Sequence, residues 1–261
     1  MVRRLCVKLT LPNKFRSLSE QTPECLIVAA GMGSRLQSLG PSKPLINLNG
    51  QPLIGRIMEN AVIGGVGGFT VVTGFMGDMV ADFVRDQARF LGVPFTIIEN
   101  PDYEKPNGLS VLAAKEALNG AFLLAMCDHL MDPAIVETMI NAPMKKDEVL
   151  LGVDYDLENP YVDLDDVTRV RLDDGYIRDI GKGIDAYNAY DTGIFKATPA
   201  LFDAMQTAGQ QDGDFSISGG MMRMAAQNKA RGIDVEDRVW IDVDDPAAFA
   251  KAAEFLKDME G

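Results

Sequence analysis

The stretch Leu26–Leu45, LIVAAGMGSRLQSLGPSKPL, decides how this chain is read. Its first residues are apolar and partly β-branched, which suits a buried strand over Leu26–Ala30. A loop follows that carries Gly31, Gly33, Arg35, Pro41, Lys43 and Pro44, and no Asp or Glu occurs between Gly31 and Glu59. A strand feeding a glycine loop can bind phosphate in three ways. A dinucleotide fold needs G-x-G-x-x-G opening a helix, with an acid about twenty residues on; here Leu36 stands in place of the third glycine and the acid is missing. A Walker A loop needs G-x-x-x-x-G-K-[ST], which is absent. The third way uses the glycines to bring backbone N–H groups to a triphosphate and its base, and adds Arg35 and Lys43 as phosphate-binding cations. The prolines then stop the loop from becoming a helix. Read as residues alone, Arg35 and Lys43 are either such ligands or solvated charges on a turn.

Working outward, apolar periodicity places a helix at Pro52–Ile63, a strand at Gly68–Thr73, a helix at Asp78–Leu91 and a strand at Val93–Ile98. A helix at Leu109–Leu118, a strand at Ala121–Met126 and a helix begun by Asp132-Pro133 complete the first half. This alternation predicts a parallel, doubly wound sheet. The second half predicts strands at Glu148–Val153, Val167–Leu172, Tyr176–Ile180 and Thr192–Lys196, with a hairpin turn at Asp173-Asp174-Gly175. Helices at Pro199–Thr207 and Ile217–Asn228, a strand at Val239–Val243 and a helix from Asp245-Pro246 follow. The expected organisation is a basic arm or linker over 1–24 and one domain over 25–261. That domain divides into a nucleotide-binding half, 25–145, and an acceptor-binding half, 146–261.

Bulk properties exclude several classes. A chain of 261 residues can bury a sizeable core. A net charge of −13 argues against binding nucleic acid through a phosphate-neutralising surface. The cysteines Cys6, Cys25 and Cys127 are not spaced for a metal and point to a reducing, cytoplasmic setting. A lone histidine, His129, excludes a zinc site of the usual kind and a histidine-based triad. The run Ala121–Met126 is far too short to span a membrane, and Met1–Glu24 lacks the apolar core of a secretory signal.

The first loop resembles the motif A-A-G-x-G-[ST]-R…K-P of the nucleoside-triphosphate sugar-phosphate nucleotidyltransferases. That resemblance implies a GT-A-like (Rossmann-like) α/β fold, with a mixed, mainly parallel sheet and a small acceptor-side β subregion. Further blocks occur in the order of one subgroup: Glu104–Leu112, Cys127-Asp128-His129, Val167–Gly175, Ile180-Gly181-Lys182, Tyr190–Phe195 and Trp240–Asp244. From Cys25 to Leu256 the chain is similar to the inositol-1-phosphate cytidylyltransferase domain. It departs from the pattern at Cys127, where glycine is frequent, and in lacking an Arg-Pro-Leu-Thr form of the first loop. In archaea that domain is often fused to a membrane CDP-alcohol phosphotransferase. The implied product user is therefore a separate enzyme of that kind, and the oligomeric state is open.

The reaction so implied transfers CMP from CTP to inositol 1-phosphate, with Mg²⁺. The attacking phosphate is largely deprotonated near neutral pH, its second pKa being about 6. Positioning and electrostatics then carry the catalysis, without a general base. Asp128 follows an apolar strand, at the end of the sheet where α/β folds bind ligands. Alone it reads as a metal ligand or a cap; the resemblance makes it and Asp242 the Mg²⁺ ligands. Asp245 reads as a helix cap and Asp244 as an outer partner of the metal or a solvated turn. The resemblance gives Arg35 the β- and γ-phosphates and places Lys43 between the α-phosphate and the incoming phosphate. It gives the nucleotide to Ala30, Gly31, Gly33, Ser34, Arg35, Asn107, Gly108 and Ser110, although Asn-Gly is also a common turn. It gives the acceptor to Lys182, Asp191, Thr192 and His129, the last of which could instead stand behind the metal ligands. The acidic stretch Asp154–Asp166 reads as a solvated loop or a lid, and Met221, Met222 and Met224 as core. Three other readings remain at this point. They are the same chemistry with CTP or UTP on a sugar 1-phosphate, phosphocholine or a phosphonate; a non-catalytic nucleotide-binding module; and a dehydrogenase, which the loop disfavours.

Overall fold

The apolar run near the start of the glycine loop forms the strand around which the sheet is built. The computed structural model describes residues 23–260, so the basic arm expected over 1–24 lies almost wholly outside the described residues. The first half contains strands β1 (Glu24–Ala29), β2 (Asn47–Leu48) and β3 (Gln51–Pro52), helix α1 (Leu53–Ile63), β4 (Gly68–Thr73), α2 (Gly77–Leu91) and β5 (Phe95–Glu99). It continues with α3 (Gly108–Ala113), β6 (Phe122–Met126), β7 (His129–Met131) and α4 (Pro133–Asn141). The second half contains β8 (Val149–Asp154), β9 (Arg169–Asp173), β10 (Tyr176–Gly181), β11 (Ala189–Ala197), α5 (Ala200–Asp212) and α6 (Ile217–Ala225). It closes with β12 (Ala230–Asp234), β13 (Trp240–Asp242) and α7 (Pro246–Glu260).

The main sheet has the order β5-β4-β1-β6-β11-β8-β12-β10-β9. Strands β5, β4, β1 and β6 run parallel, as the first half predicts, and β12 lies parallel to β8. Strand β11 is antiparallel to both β6 and β8, and β10 to both β12 and β9. The sheet is mixed as expected, but antiparallel neighbours are as frequent as parallel ones. The strands of the second half continue the main sheet. Strand β12 was not legible: in Ala-Arg-Gly-Ile-Asp the charges and glycine mask a short strand. Several boundaries also move: α5 runs on to Asp212 and β11 begins at Ala189. Pro94, which cannot donate to a ladder, delays β5 to Phe95, and α3 stops at Ala113 instead of Leu118.

Period-two alternation sorts the sheet's side chains into two cores. From β1, Leu26 and Val28 join one cluster with Phe122, Phe202 and Met221, whereas Cys25, Ile27 and Ala29 join the other with Ile54, Phe69 and Trp240. Each large apolar side chain so buried contributes roughly 1.5–3 kcal/mol. Met221 and Met224 are core, as expected, while Met222 is exposed. A third cluster positions the site. It packs Leu36 and Ile46 of the glycine loop with Leu130, Ile241, Val243 and Ala252. The loop that carries Arg35 and Lys43 is thereby fastened to the strands and helix near the end of the chain.

Candidate functional site

Gly33 brings the loop's two cations together. Its φ of +59° is left-handed, and a Cβ there would lie 2.3 Å from Cβ of Lys43. Only glycine combines that conformation with that approach. The Lys43 side chain is thus drawn under the loop and nearly buried, where its ammonium contacts the carboxylates of both Asp128 and Asp244. Arg35 stays half exposed, touching Asp244 and lying 2.7 Å from Asp166 Oδ2. Asp244 is therefore not a solvated turn: it bridges the two loop cations, one of which also contacts Asp128. The expected cap holds for Asp245, whose Oδ1 accepts the Ala248 N–H at 2.7 Å.

Asp128 and Asp242 come together through backbone pairing. Asp128 follows β6, and its carbonyl accepts from the Val243 N–H at 2.9 Å. The register of β7 on β13 sets Asp242 opposite His129. The strand does not run on unbroken through Asp128, so His129 does not alternate away. Its Nδ1 lies 2.9 Å from Asp128 Oδ1, and its Nε2 lies 3.7 Å from Asp242 Oδ2. The imidazole stacks on Trp240, with ring centres 6.4 Å apart and planes 5° from parallel. The Trp240 indole N–H in turn donates to Asp154 at 2.8 Å.

Charge compensation is uneven here. Burial works to lower the Lys43 pKa, but Asp128 and its neighbours outweigh that and raise it. Burial would raise Asp128, yet Lys43 and His129 hold its carboxyl well below the usual range. Burial opposes the charge on His129, while Asp242 and then Asp128 raise its pKa to about 9. Asp242 is raised by burial and by Asp128, against the pull of His129 and Lys43. Its Oδ1 is buried with no hydrogen-bond partner. Ligand atoms of Asp128, His129 and Asp242 all lie within 4.8 Å of one another. A carboxylate oxygen left unsatisfied in such a cluster fits a divalent cation, and these three residues could hold one.

A cavity of ≈ 280 Å³ opens beside this cluster. Asn107, Asp128, His129, Lys182, Asp191 and Asp242 line it, with Tyr161, Phe195 and Ile217 as its less polar wall. Asp191 faces in; burial raises its pKa to about 6, and it accepts from the Gly193 N–H at 2.8 Å. Lys182 reaches the rim and contacts Asp166. Gly31 and Ser34 are exposed on the loop.

Several expected ligands are turned elsewhere. Thr192 is fully buried and its hydroxyl donates to the Gly152 carbonyl at 2.9 Å, so it is not an acceptor contact. Ser110 is buried and accepts from Asn100 Nδ2 at 2.9 Å. Gly108 is required by packing in any case: a Cβ there would lie 2.1 Å from the Phe215 carbonyl oxygen. Ala30 places its methyl in the core and its carbonyl accepts from Phe75 N–H at 3.0 Å. The acidic stretch is not simply a solvated loop, since Asp154 is buried against Trp240 and Asn159 and Asp166 reaches two cations. Sequence reasoning missed Asp166, Trp240 and Gly193 as site residues. The one available signal was the glycine directly after Asp191-Thr192, inside a strand.

The chain is 33% identical over 224 residues to the "Bifunctional IPC transferase and DIPP synthase" of Rubrobacter xylanophilus, a match covering 84% of this chain and 49% of that protein. The protein of the same name from Thermococcus kodakarensis is 30% identical over 232 residues, covering 88% of this chain and 50% of the relative. The chain thus spans about half the length of these curated relatives. Among solved structures, the inositol-1-phosphate CTP transferase from T. maritima shares the fold with a TM-score of 0.80 at 24% identity, covering 92% of this chain and 96% of that one. UDP-glucose pyrophosphorylase complexed with UDP-glucose shares it with a TM-score of 0.75 at 18% identity, covering 92% of this chain and 100% of that one. Residues 25–164 match the MobA-like NTP transferase domain, and the chain belongs to that family.

Proposed function

We propose that this chain is a cytidylyltransferase that moves CMP from CTP to inositol 1-phosphate, giving CDP-inositol and pyrophosphate. The observation that carries the reading is that Lys43 meets Asp128, which lies beside Asp242, while Asp244 joins Lys43 to Arg35. A phosphate-binding loop and a cation-binding pair of carboxylates are what two reacting anions need. The nucleotidyltransferase relatives and the shared fold support the same chemistry.

In this reading Gly31, Gly33 and Ser34 lend their backbone to the nucleotide, with Asn107 at the base. Arg35 leaves its carboxylates for the β- and γ-phosphates. Lys43 lies between the α-phosphate and the acceptor phosphate. Lys182 holds the acceptor phosphate, and Asp191 accepts from the polyol hydroxyls. An oxygen of inositol 1-phosphate bonds to the α-phosphorus while the bond from that phosphorus to the bridging oxygen breaks, its electron pair leaving on pyrophosphate. His129 keeps Asp128 and Asp242 apart at a fixed spacing. Mg²⁺, held by Asp128 and Asp242, would neutralise phosphate charge and orient the triphosphate. Among the described residues no helix is long and apolar enough to cross a membrane. We place this chain in the cytoplasm and propose a membrane CDP-alcohol phosphotransferase as the user of its product.

Pyrophosphate release tests this. CTP, UTP, ATP and GTP are each paired with inositol 1-phosphate, glucose 1-phosphate and phosphocholine, with and without Mg²⁺. Mg²⁺-dependent turnover confined to CTP with inositol 1-phosphate is expected. Turnover confined to another pair would replace the substrates, and binding of nucleotide without turnover on any pair would remove the enzyme.

A further inference from the structure

Asp166 ties the two halves of the cavity together. One of its oxygens lies 2.7 Å from the Arg35 guanidinium, and the other contacts the Lys182 ammonium. Asp244 also touches Arg35, but its second partner is Lys43, on the same side of the site. Asp166 alone, among the described residues, joins a cation of the first loop to a cation at the end of β10. Arg35 is half exposed, Lys182 more so, and Asp166 one-quarter exposed, so this is a bridge across an open mouth and not a core ion pair. Such a bridge is individually weak and can be broken by a better anion.

We propose that Asp166 is an internal stand-in for phosphate that couples binding of the nucleotide to binding of the acceptor. The proposal rests on the reading above for the roles of Arg35 and Lys182. A triphosphate offers Arg35 more negative charge and a better fork than one carboxylate does. Once it is bound, Asp166 faces a polyanion and is repelled from the mouth. Lys182 then loses its carboxylate and stands free for the acceptor's phosphate. A ligand shifts such an equilibrium only by its differential affinity for the two states, and here Asp166 supplies that difference. Linkage makes the effect mutual: the acceptor must tighten nucleotide binding by the same factor. Asp166 is thus a positioning residue that favours filling of both subsites together.

Calorimetric titration tests the coupling without turnover. The ligands are inositol 1-phosphate and a CTP analogue with a methylene bridge between its α- and β-phosphates. In the unaltered protein the analogue should tighten inositol 1-phosphate binding about fivefold or more, with the reciprocal factor the same. In Asp166→Asn, which keeps the shape and removes the charge, inositol 1-phosphate alone should bind as it does to the analogue-loaded protein. The coupling factor should then fall to near one. Circular dichroism checks that the variant is folded. An unchanged coupling factor in Asp166→Asn, or no coupling in the unaltered protein, overturns the proposal. A parallel arm with pyrophosphate and inorganic phosphate reads the same coupling independently of substrate identity. If inositol 1-phosphate fails to bind while that arm is coupled through Asp166, the substrate reading falls and the coupling stands.

Discussion

Gly193 lies directly beneath the imidazole of His129: a Cβ at that position would sit 2.3 Å from the ring's Cδ2. Its φ of +77° is in the left-handed region as well. Gly193→Ala therefore meets both a strained backbone and a ring in contact with Asp128. Strain of this kind costs roughly 1–3 kcal/mol. The expected outcome is a lowered urea midpoint together with at least a tenfold fall in kcat. Normal stability and normal turnover would show that the ring moves aside freely and that its position is unimportant.

Asp128 is held by Lys43 and His129 and is a candidate cation ligand. Asp128→Asn keeps the size of the side chain and removes its charge. Turnover should fall by at least about a hundredfold, the scale on which one aligned electrostatic group acts. The far-ultraviolet circular dichroism spectrum should be unchanged. A variant of near-normal rate would remove Asp128 from the metal pair.

Trp240 is the chain's sole tryptophan and stacks on His129. Its emission therefore reports on the carboxylate pair. Adding Mg²⁺ to the protein should produce a saturable change in fluorescence, and Asp242→Asn should abolish it. An equal, saturating response in that variant would place the cation elsewhere.

Burial pushes the Cys25 thiol up to about 12, and burial together with Asp128 also raises Cys127. A raised thiol pKa means almost no thiolate at pH 8, whereas an unperturbed thiol near 8.5 would react readily. In a Cys6→Ser variant, a disulfide reagent at pH 8 should leave both cysteines untouched until the protein unfolds. Fast stoichiometric labelling of the native protein would contradict the buried placement.

Much of the first half was legible because its strands are uninterrupted apolar runs separated by turn residues, and Gly33 and Lys43 could be read as parts of one loop. The misplaced residues have specific causes. Neighbours on a strand face opposite ways, so Asp191 and Thr192 could not both reach the cavity; only Asp191 does. Gly108 and Ser110 look like ligand residues in sequence, but the first accommodates the Phe215 carbonyl and the second answers Asn100. Asp166 lay in an acidic run whose members are indistinguishable by composition. Its partners Arg35 and Lys182 are fixed by tertiary structure, which no local periodicity encodes.

The apolar cluster that fastens Leu36 to Ile241, Val243 and Ala252 also has a temporal side. Lys43 meets Asp244 across a sequence separation of 201 residues. A chain emerging from the ribosome makes its glycine loop early, but Asp242 and Asp244 arrive only with or just after the last described strand. Contacts this distant in sequence form late, since the loop between them must first be closed. Unfinished or clipped chains thus carry the glycine loop without the carboxylate that Lys43 and Arg35 share in the folded chain.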